Sequence, residues 1–392
     1  MQNKKPKVLF AMVEAGMGHI APLSGAHEVF ERKYGKYCEI EKYPVFTESK
    51  YESVRKMGEE QSSHVKKLLK SKNYNRFEAF SYKLPSKLVL KVLDMHFGKG
   101  RKEFLKELAE KQPDLVFSTY YLPTHLARQA NDKKLTNCLV ATYTPDPFIY
   151  PAWDRKCDMY LVNNSRAKEL AIKKGFKKEV VKQIPFIFKK GVTDVNLSKQ
   201  QAREGLGLQK DNYTILFTSG AYGAQDMVSY VKPFLKYDKP INFVIVCGKS
   251  QELFNQMESL REIKNDCVNY YVIGFTDRLA EYMRAANVMI GKSGMNTIME
   301  AIYHDCPVIA NTFANKLEEK ILEYFIDEKV ALYETDAQKI ADVVLKDISG
   351  EGVFKNFEES CKKFKVNDGP EQAADLLFEL LKTRFPHLGE KE

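Results

Sequence analysis

The stretch GKSGMNTIMEAIYHDCPVIA, Gly291–Ala310, decides the fold. It opens on the end of an apolar run, turns at Gly294, continues in a helical pattern and returns at Pro307 to a second apolar run. Strand, glycine turn, amphipathic helix and strand make a parallel β-α-β unit, because parallel neighbours need a crossover between them. The turn also carries chemistry. Lys292, Ser293 and Gly294 end the strand, and Met295, Asn296 and Thr297 open the helix. Their hydroxyl, amide and backbone N–H groups suit a diphosphate, aided by the positive end of the helix. Glu300 lies about a turn further on, where a carboxylate accepts bonds from both hydroxyls of a ribose.

Outward from this segment the same alternation repeats. YTILFTSG, INFVIVCG, NYYVIGFT, NVMIGK, PVIANT and VALYET read as six buried strands separated by helical patterns. An earlier series holds KVLFAMV (7–13), CEIEKYPVF (38–46), DLVFST (114–119), NCLVATYT (137–144) and DMYLVNN (158–164). Ser165 is expected to cap the helix that stops at Gly175. Residues 48–112 read as basic, aromatic and helical, broken at Pro85. A polar stretch, 189–212, separates the two series. The expected architecture is α/β, with two Rossmann-like doubly wound domains facing a cleft. The expected division is 1–192, 193–368 and a C-terminal helix, 369–392, packing back toward the first domain.

Three more motifs sit where such sheets place working residues, at strand carboxyl ends. EAGMGHIAP follows the first strand. Gly16 and Gly18 let backbone approach a ligand, and His19 falls in the first helical turn. A helix N-terminus disfavours the charged imidazole, which suits a hydrogen-bonding or base role. TSGAYGAQD places Ser219, Gly220 and Gly223 in the matching position of the second domain. TYTPDPFIYPAW holds three prolines, the only tryptophan and one carboxylate, Asp146, a candidate general base. Gly248-Lys249-Ser250 fails as a P-loop because position 243 is Phe. The sequence has no Asp-x-Asp and no His/Cys cluster with zinc spacing, so neither a metal nor a resident cofactor is expected.

Composition narrows the classes. Apolar residues are 44% and charged residues 29% of the 392, too apolar for a disordered chain. The net charge is +9, and residues 1–112 hold 23 basic and 14 acidic side chains, so the whole surplus lies at the N-terminal end. Lysines 66, 67, 70, 72, 83, 87 and 91 interleave with aromatic and leucine residues there, a pattern that suits an anionic membrane surface. Recognition motifs for nucleic acid are missing, so it is not expected as a partner. The first apolar run ends at Glu14, too short for a secretory signal, and none approaches the length of a membrane span. The seven cysteines show no C-x-x-C and are expected to be reduced. A cytoplasmic location, peripheral on the inner face of the cell membrane, is expected.

Together GMGHIAP, SGAYG and GKSGMNTIMEAIYHDCPVI resemble glycosyltransferases of the GT-B fold, in particular the group of monogalactosyldiacylglycerol synthases, diacylglycerol glucosyltransferases and the peptidoglycan N-acetylglucosaminyltransferase. The resemblance implies an inverting, metal-independent transfer from a UDP-sugar to a membrane lipid such as diacylglycerol. It implies Phe275 near the base, Glu300 on the ribose, and Ser219, Gly220 and the Ser293–Thr297 helix start on the diphosphate. Asp146 or His19 is then the base, and Glu318 is what remains of a Gln-Glu pair that contacts the sugar, with Leu317 where the Gln stands. Tyr150 replaces a family histidine, and Gln183 a glycine.

Other readings compete. A nucleotide-sugar epimerase, or a non-catalytic nucleotide-sugar-binding protein, shares the fold. The Gly16-x-Gly18-x-x-Ala21 spacing, with Glu39 or Glu41 downstream, loosely fits a dinucleotide oxidoreductase but leaves the second and third motifs unexplained.

Overall fold

The computed structural model describes residues 4–14, 17–70, 82–218, 227–262, 265–292, 294–313 and 315–389. The chain divides into two compact units: Met1–Lys190 with Asn315–Leu317 and Val366–Glu392, and Gly191–Ala314 with Glu318–Lys365.

The first unit is built on six parallel strands, β1 (Lys7–Met12), β2 (Glu39–Pro44), β3 (Leu115–Ser118), β4 (Leu139–Thr144), β5 (Met159–Val162) and β6 (Val181–Gln183). Their order across the sheet is β2-β1-β3-β4-β5-β6. Side chains alternate between faces along each strand. Val8 and Phe10 pack with Leu23, Ala26 and Phe30 of the helix Met17–Tyr34, and with Ala374 and Leu377 of the C-terminal helix Gly369–Lys382. Leu9 and Ala11 face the other way, against Phe104, Leu108, Leu126 and Ala130. The C-terminal helix is pinned to the first by stacked Tyr34 and Phe378 rings, 3.9 Å apart, and by the Arg32–Glu371 pair at 3.0 Å.

Two local expectations are corrected. Asn164, not Ser165, caps the helix Ser165–Lys173: its side-chain oxygen accepts from the Ala167 N–H at 2.7 Å. The three-residue strand β6 was not expected, because VKQ has too little apolar character to announce a strand.

The second unit has β7 (Tyr213–Thr218), β8 (Ile241–Val246), β9 (Val268–Ile273), β10 (Val288–Lys292), β11 (Val308–Thr312) and β12 (Ala331–Tyr333). All pair parallel, in the order β12-β11-β10-β7-β8-β9, which is the Rossmann order read from the opposite edge. Both sheets contain a switch point, where the chain leaves two adjacent strands in opposite directions. It lies between β1 and β3 in the first sheet and between β7 and β10 in the second. Open α/β sheets bind ligands at the carboxyl ends of the strands flanking such a point.

Candidate functional site

At the first switch point β1 leads into the helix that carries His19, and β3 leads into Thr119 and Tyr120. The two sides bond twice. His19 Nδ1 lies 2.8 Å from the Thr119 carbonyl, and the Thr119 hydroxyl donates to the His19 carbonyl at 2.6 Å. A carbonyl only accepts, so Nδ1 carries the proton and Nε2 keeps its lone pair. Desolvation lowers the ring to about 4, which leaves it neutral at pH 7. The direction is that expected from the sequence, but the cause is burial rather than the helix end. Gly18, one residue earlier, faces open space: a methyl there meets nothing within 4 Å.

Asp146 leaves the same edge at the end of β4, one strand beyond β3. It is half-buried between Pro145 and Pro147, both buried. Asn163 Nδ2 donates to the Pro145 carbonyl at 2.6 Å and to the Tyr143 hydroxyl at 3.1 Å, fixing the start of the loop. Burial first, and the Asp146 charge after it, pushes the Tyr143 phenol up. Further out the site is walled by rings. His19 meets Tyr120 edge-on at 4.8 Å, Tyr120 lies 4.4 Å from Tyr121, Tyr121 5.5 Å from Tyr150, and Tyr150 4.8 Å from Tyr82. Thr119, Tyr120, Tyr121 and Asn163 were missed from the sequence. A Tyr-Tyr pair directly after a buried strand was the one available signal for two of them.

In the second unit β10 ends at Lys292, and Gly294 stands at the N-cap of the helix Met295–Tyr303 without a side-chain cap. The N-cap residue therefore leaves the first backbone donors of this helix without a side-chain cap of its own. Asn296 and Thr297 lie in its first turn, and Thr297 Oγ1 is 3.7 Å from where a Gly294 methyl would stand. Met295 is buried beneath them, in the core rather than at the surface. Glu300 is a carboxylate only 8% exposed on the same helix. Gly291 is needed for a packing reason: a methyl there would run into the Thr218 carbonyl and lie 2.5 Å from its hydroxyl oxygen. This glycine lets β7 and β10 close on each other at the switch point.

Glu318 bonds Lys292 Nζ at 2.8 Å, so its carboxylate is held at the tip of β10. Phe275, after β9, is 71% exposed with the Lys249 ammonium 5.3 Å from its ring centre. A large aromatic left open at a strand's carboxyl end is a surface for a flat ring to stack on. Asn311, buried beside a bulge between β10 and β11, was not foreseen. Gly16, Lys72, Ser219, Gly220, Gly223 and Ser293 lie outside the described residues. Each unit thus gathers its own candidates on one carboxyl edge: Gly18, His19 and Asp146 in the first, and Phe275, Gly294 to Glu300 and Glu318 in the second. Among the described residues, no group of three His, Cys, Asp or Glu side chains is arranged to hold a metal.

The fold and two stretches of the sequence match known proteins. Residues 214–320 match the glycosyltransferase family 28 C-terminal domain, and residues 30–184 match monogalactosyldiacylglycerol (MGDG) synthase. A processive diacylglycerol beta-glucosyltransferase of Bacillus cereus is 23% identical over 359 residues, covering 88% of this chain and 87% of its own. Among solved structures, Acinetobacter baumannii MurG superposes with a TM-score of 0.62 at 10% identity, over 95% of this chain and 99% of its own. Anabaena Alr3699/HepE in complex with UDP superposes with a TM-score of 0.53 at 12% identity, over 97% of this chain and all of its own. Fold and matched domains define a glycosyltransferase of the GT-B class. Within that class the chain resembles the monogalactosyldiacylglycerol synthases and bacterial diacylglycerol glucosyltransferases, as its glycine turns and the Gly291–Ala310 segment suggested.

Proposed function

We propose that this glycosyltransferase moves a sugar from a UDP-sugar to a diacylglycerol-type lipid at an anionic, cytoplasmic membrane face. The observation that carries the lipid reading is the helix Ser86–His96. Leu88, Val92 and Met95 stand on one side of it, 45–66% exposed, where a soluble helix would be polar. Exposed Lys83, Lys87, Lys91, Lys99 and Lys102 flank that stripe. Apolar insertion beside lysines is complementary to anionic headgroups, each lysine contributing about 1 kcal/mol. Among the described residues no helix is long and apolar enough to cross a membrane, so docking from the side suits the chain.

The chemistry needs one displacement. The acceptor hydroxyl oxygen bonds the anomeric carbon as the bond to the diphosphate breaks, and one attack inverts the centre. The proton passes to Asp146. His19 offers the Nε2 lone pair to orient the hydroxyl; with its ring lowered to about 4 it holds a proton no better than a carboxylate. The diphosphate leaves against the open N-terminus of Met295–Tyr303, whose N–H groups and dipole offset the growing charge. Glu300 takes the ribose hydroxyls, and Glu318, held by Lys292, faces the sugar.

Thermal-shift screening against nucleotides and nucleotide sugars tests the donor, since a ligand of the folded state raises stability by mass action. Selective stabilisation by a uridine sugar, and its transfer to diacylglycerol in anionic vesicles, are expected. Conversion of the free nucleotide sugar with no transfer to lipid would overturn the proposal in favour of an epimerase.

A further inference from the structure

The Pro-rich loop that carries Asp146 is poorly supplied with backbone donors, because Pro145, Pro147 and Pro151 have no N–H. Side chains from other elements hold it instead. Three of these fasteners reach the amphipathic helix or the residues leading into it. Ser86, its first residue, donates to the Pro151 carbonyl at 2.5 Å. Tyr82, just before it, packs on Tyr150 and on Phe148, with ring centres 4.8 and 5.9 Å apart. At its other end Asp94 is joined to the loop through His125, on the helix Tyr121–Asp132. His125 Nδ1 is 2.9 Å from Asp154 Oδ2, and Nε2 is 3.2 Å from Asp94 Oδ1. Gln129 closes the group, its amide donating to both Asp94 oxygens at 2.7 Å, while Arg101 donates to the Gln129 carbonyl oxygen at 3.1 Å.

The His125 side chain is only 7% exposed and Asp154 12%, so the bond between them is shielded from water, while Asp94 stands nearer the surface. Burial pushes the Asp154 carboxyl up, but the bonds from His125 and from the Lys156 N–H outweigh it and hold the group below the usual range. The helix thus has two faces. Val89 is buried and Leu93 packs against the core, while Leu88, Val92 and Met95 look outward. Both ends of the helix are fastened to the loop.

We propose that His125 is a positioning residue, tying the Asp146 loop to the helix Ser86–His96 so that seating of this helix on a bilayer sets the placement of Asp146. The inference rests on the lipid reading above, and its test has a readout that does not need sugar transfer. Trp153 is the only tryptophan in the chain; it is buried in the loop beside Asp154. Its selectively excited emission reports the loop directly.

The full-length protein is titrated with phosphatidylglycerol-containing vesicles, and Trp153 emission is read beside co-sedimentation. The wild type is expected to change its emission as it binds. Asp94→Ala, which cuts the tie on the helix side, and His125→Ala, which removes its middle, are expected to sediment with vesicles but show a clearly smaller change, since the Ser86 and Tyr82 contacts remain. With diacylglycerol in the vesicles, both variants should lose about ten- to a hundredfold in kcat, the cost of a misplaced reacting group, with donor KM unmoved. A wild-type emission blind to bound vesicles would overturn the inference, as would a full change in Asp94→Ala. So would parallel losses of kcat, donor affinity and Tm, which would make His125 merely structural. If emission behaves as expected and no lipid is glycosylated, the tie stands and the proposed reaction fails.

Discussion

His19 and Thr119, 100 residues apart, clasp each other twice across the switch point of the first sheet. One bond sets the tautomer of the ring; the other holds the first turn of its helix to the end of β3. The pairing makes His19 a neutral acceptor; the proposed reaction assigns proton removal to Asp146. Asp146→Asn is therefore expected to lower kcat by about 10²–10⁴, the usual worth of a general base, with donor KM little changed. His19→Gln should act mainly on acceptor KM. Steady-state kinetics on both substrates check the division. A kcat acid limb near pH 6.5 would show His19 titrating as an ordinary histidine.

Acid should destabilise the protein earlier than its carboxylates alone require. Burial lowers His19 and His304 from 6.5 to about 4. The unfolded chain takes up these protons near pH 6.5 and the folded chain only near 4. Stability is therefore full above pH 6.5, falls progressively below it and levels off once the pH is under 4. His304 is 1% exposed, and full protonation should cost on the order of 3 kcal/mol. Denaturant melts at pH 7.5 and 5 should show the loss, and His304→Leu should flatten it.

The two carboxylates of the second unit should separate by ligand. Glu300→Gln removes a charged acceptor, and a bond to a charged group contributes about 1.5–3 kcal/mol, so the donor KM should rise about tenfold or more. The stabilisation by UDP alone should shrink with it. Glu318→Gln weakens the bond from Lys292 and should reduce use of the whole nucleotide sugar while UDP binds as before. Thermal shifts with UDP and with UDP-sugars tell the two apart.

Gly291→Ala should be costly although it adds one carbon. The new methyl would sit against the Thr218 carbonyl and hydroxyl, in a strand pair that has no room to part. Overpacking of this kind costs about 1–3 kcal/mol, read as a lowered Tm. Because the strain falls at the switch point, nucleotide affinity should drop as well.

Replacing Leu88, Val92 and Met95 together by Ser should leave the fold intact, since exposed positions usually change stability by less than about 0.5 kcal/mol each. Co-sedimentation with anionic vesicles should fall sharply. Vesicle binding as strong as wild type would remove the helix from the membrane surface.

Much of this was legible without coordinates. Strand runs such as INFVIVCG and NVMIGK are apolar without alternation, which is how a strand covered on both faces reads. Glycine turns at their carboxyl ends pointed to the candidate ligand positions. His19, Asp146 and Glu300 were named from those positions. What escaped was of two kinds. Short, weakly apolar pieces such as β6 carry too little pattern to be seen. Residues such as Thr119, Asn163 and His125 act through partners that no local rule connects to them.

The order of residues by itself determined the α/β class, the two strand series and the cationic N-terminal end, because each is carried by residue types along the chain rather than by contacts between distant segments. Only the tertiary structure decided which strands flank a switch point, that His19 faces the Thr119 carbonyl, that burial rather than a helix end keeps its ring neutral, and that His125 joins Asp94 to Asp154. Those are contacts between segments far apart in the chain. They form only when the sheet fixes the distances, so no local pattern encodes them.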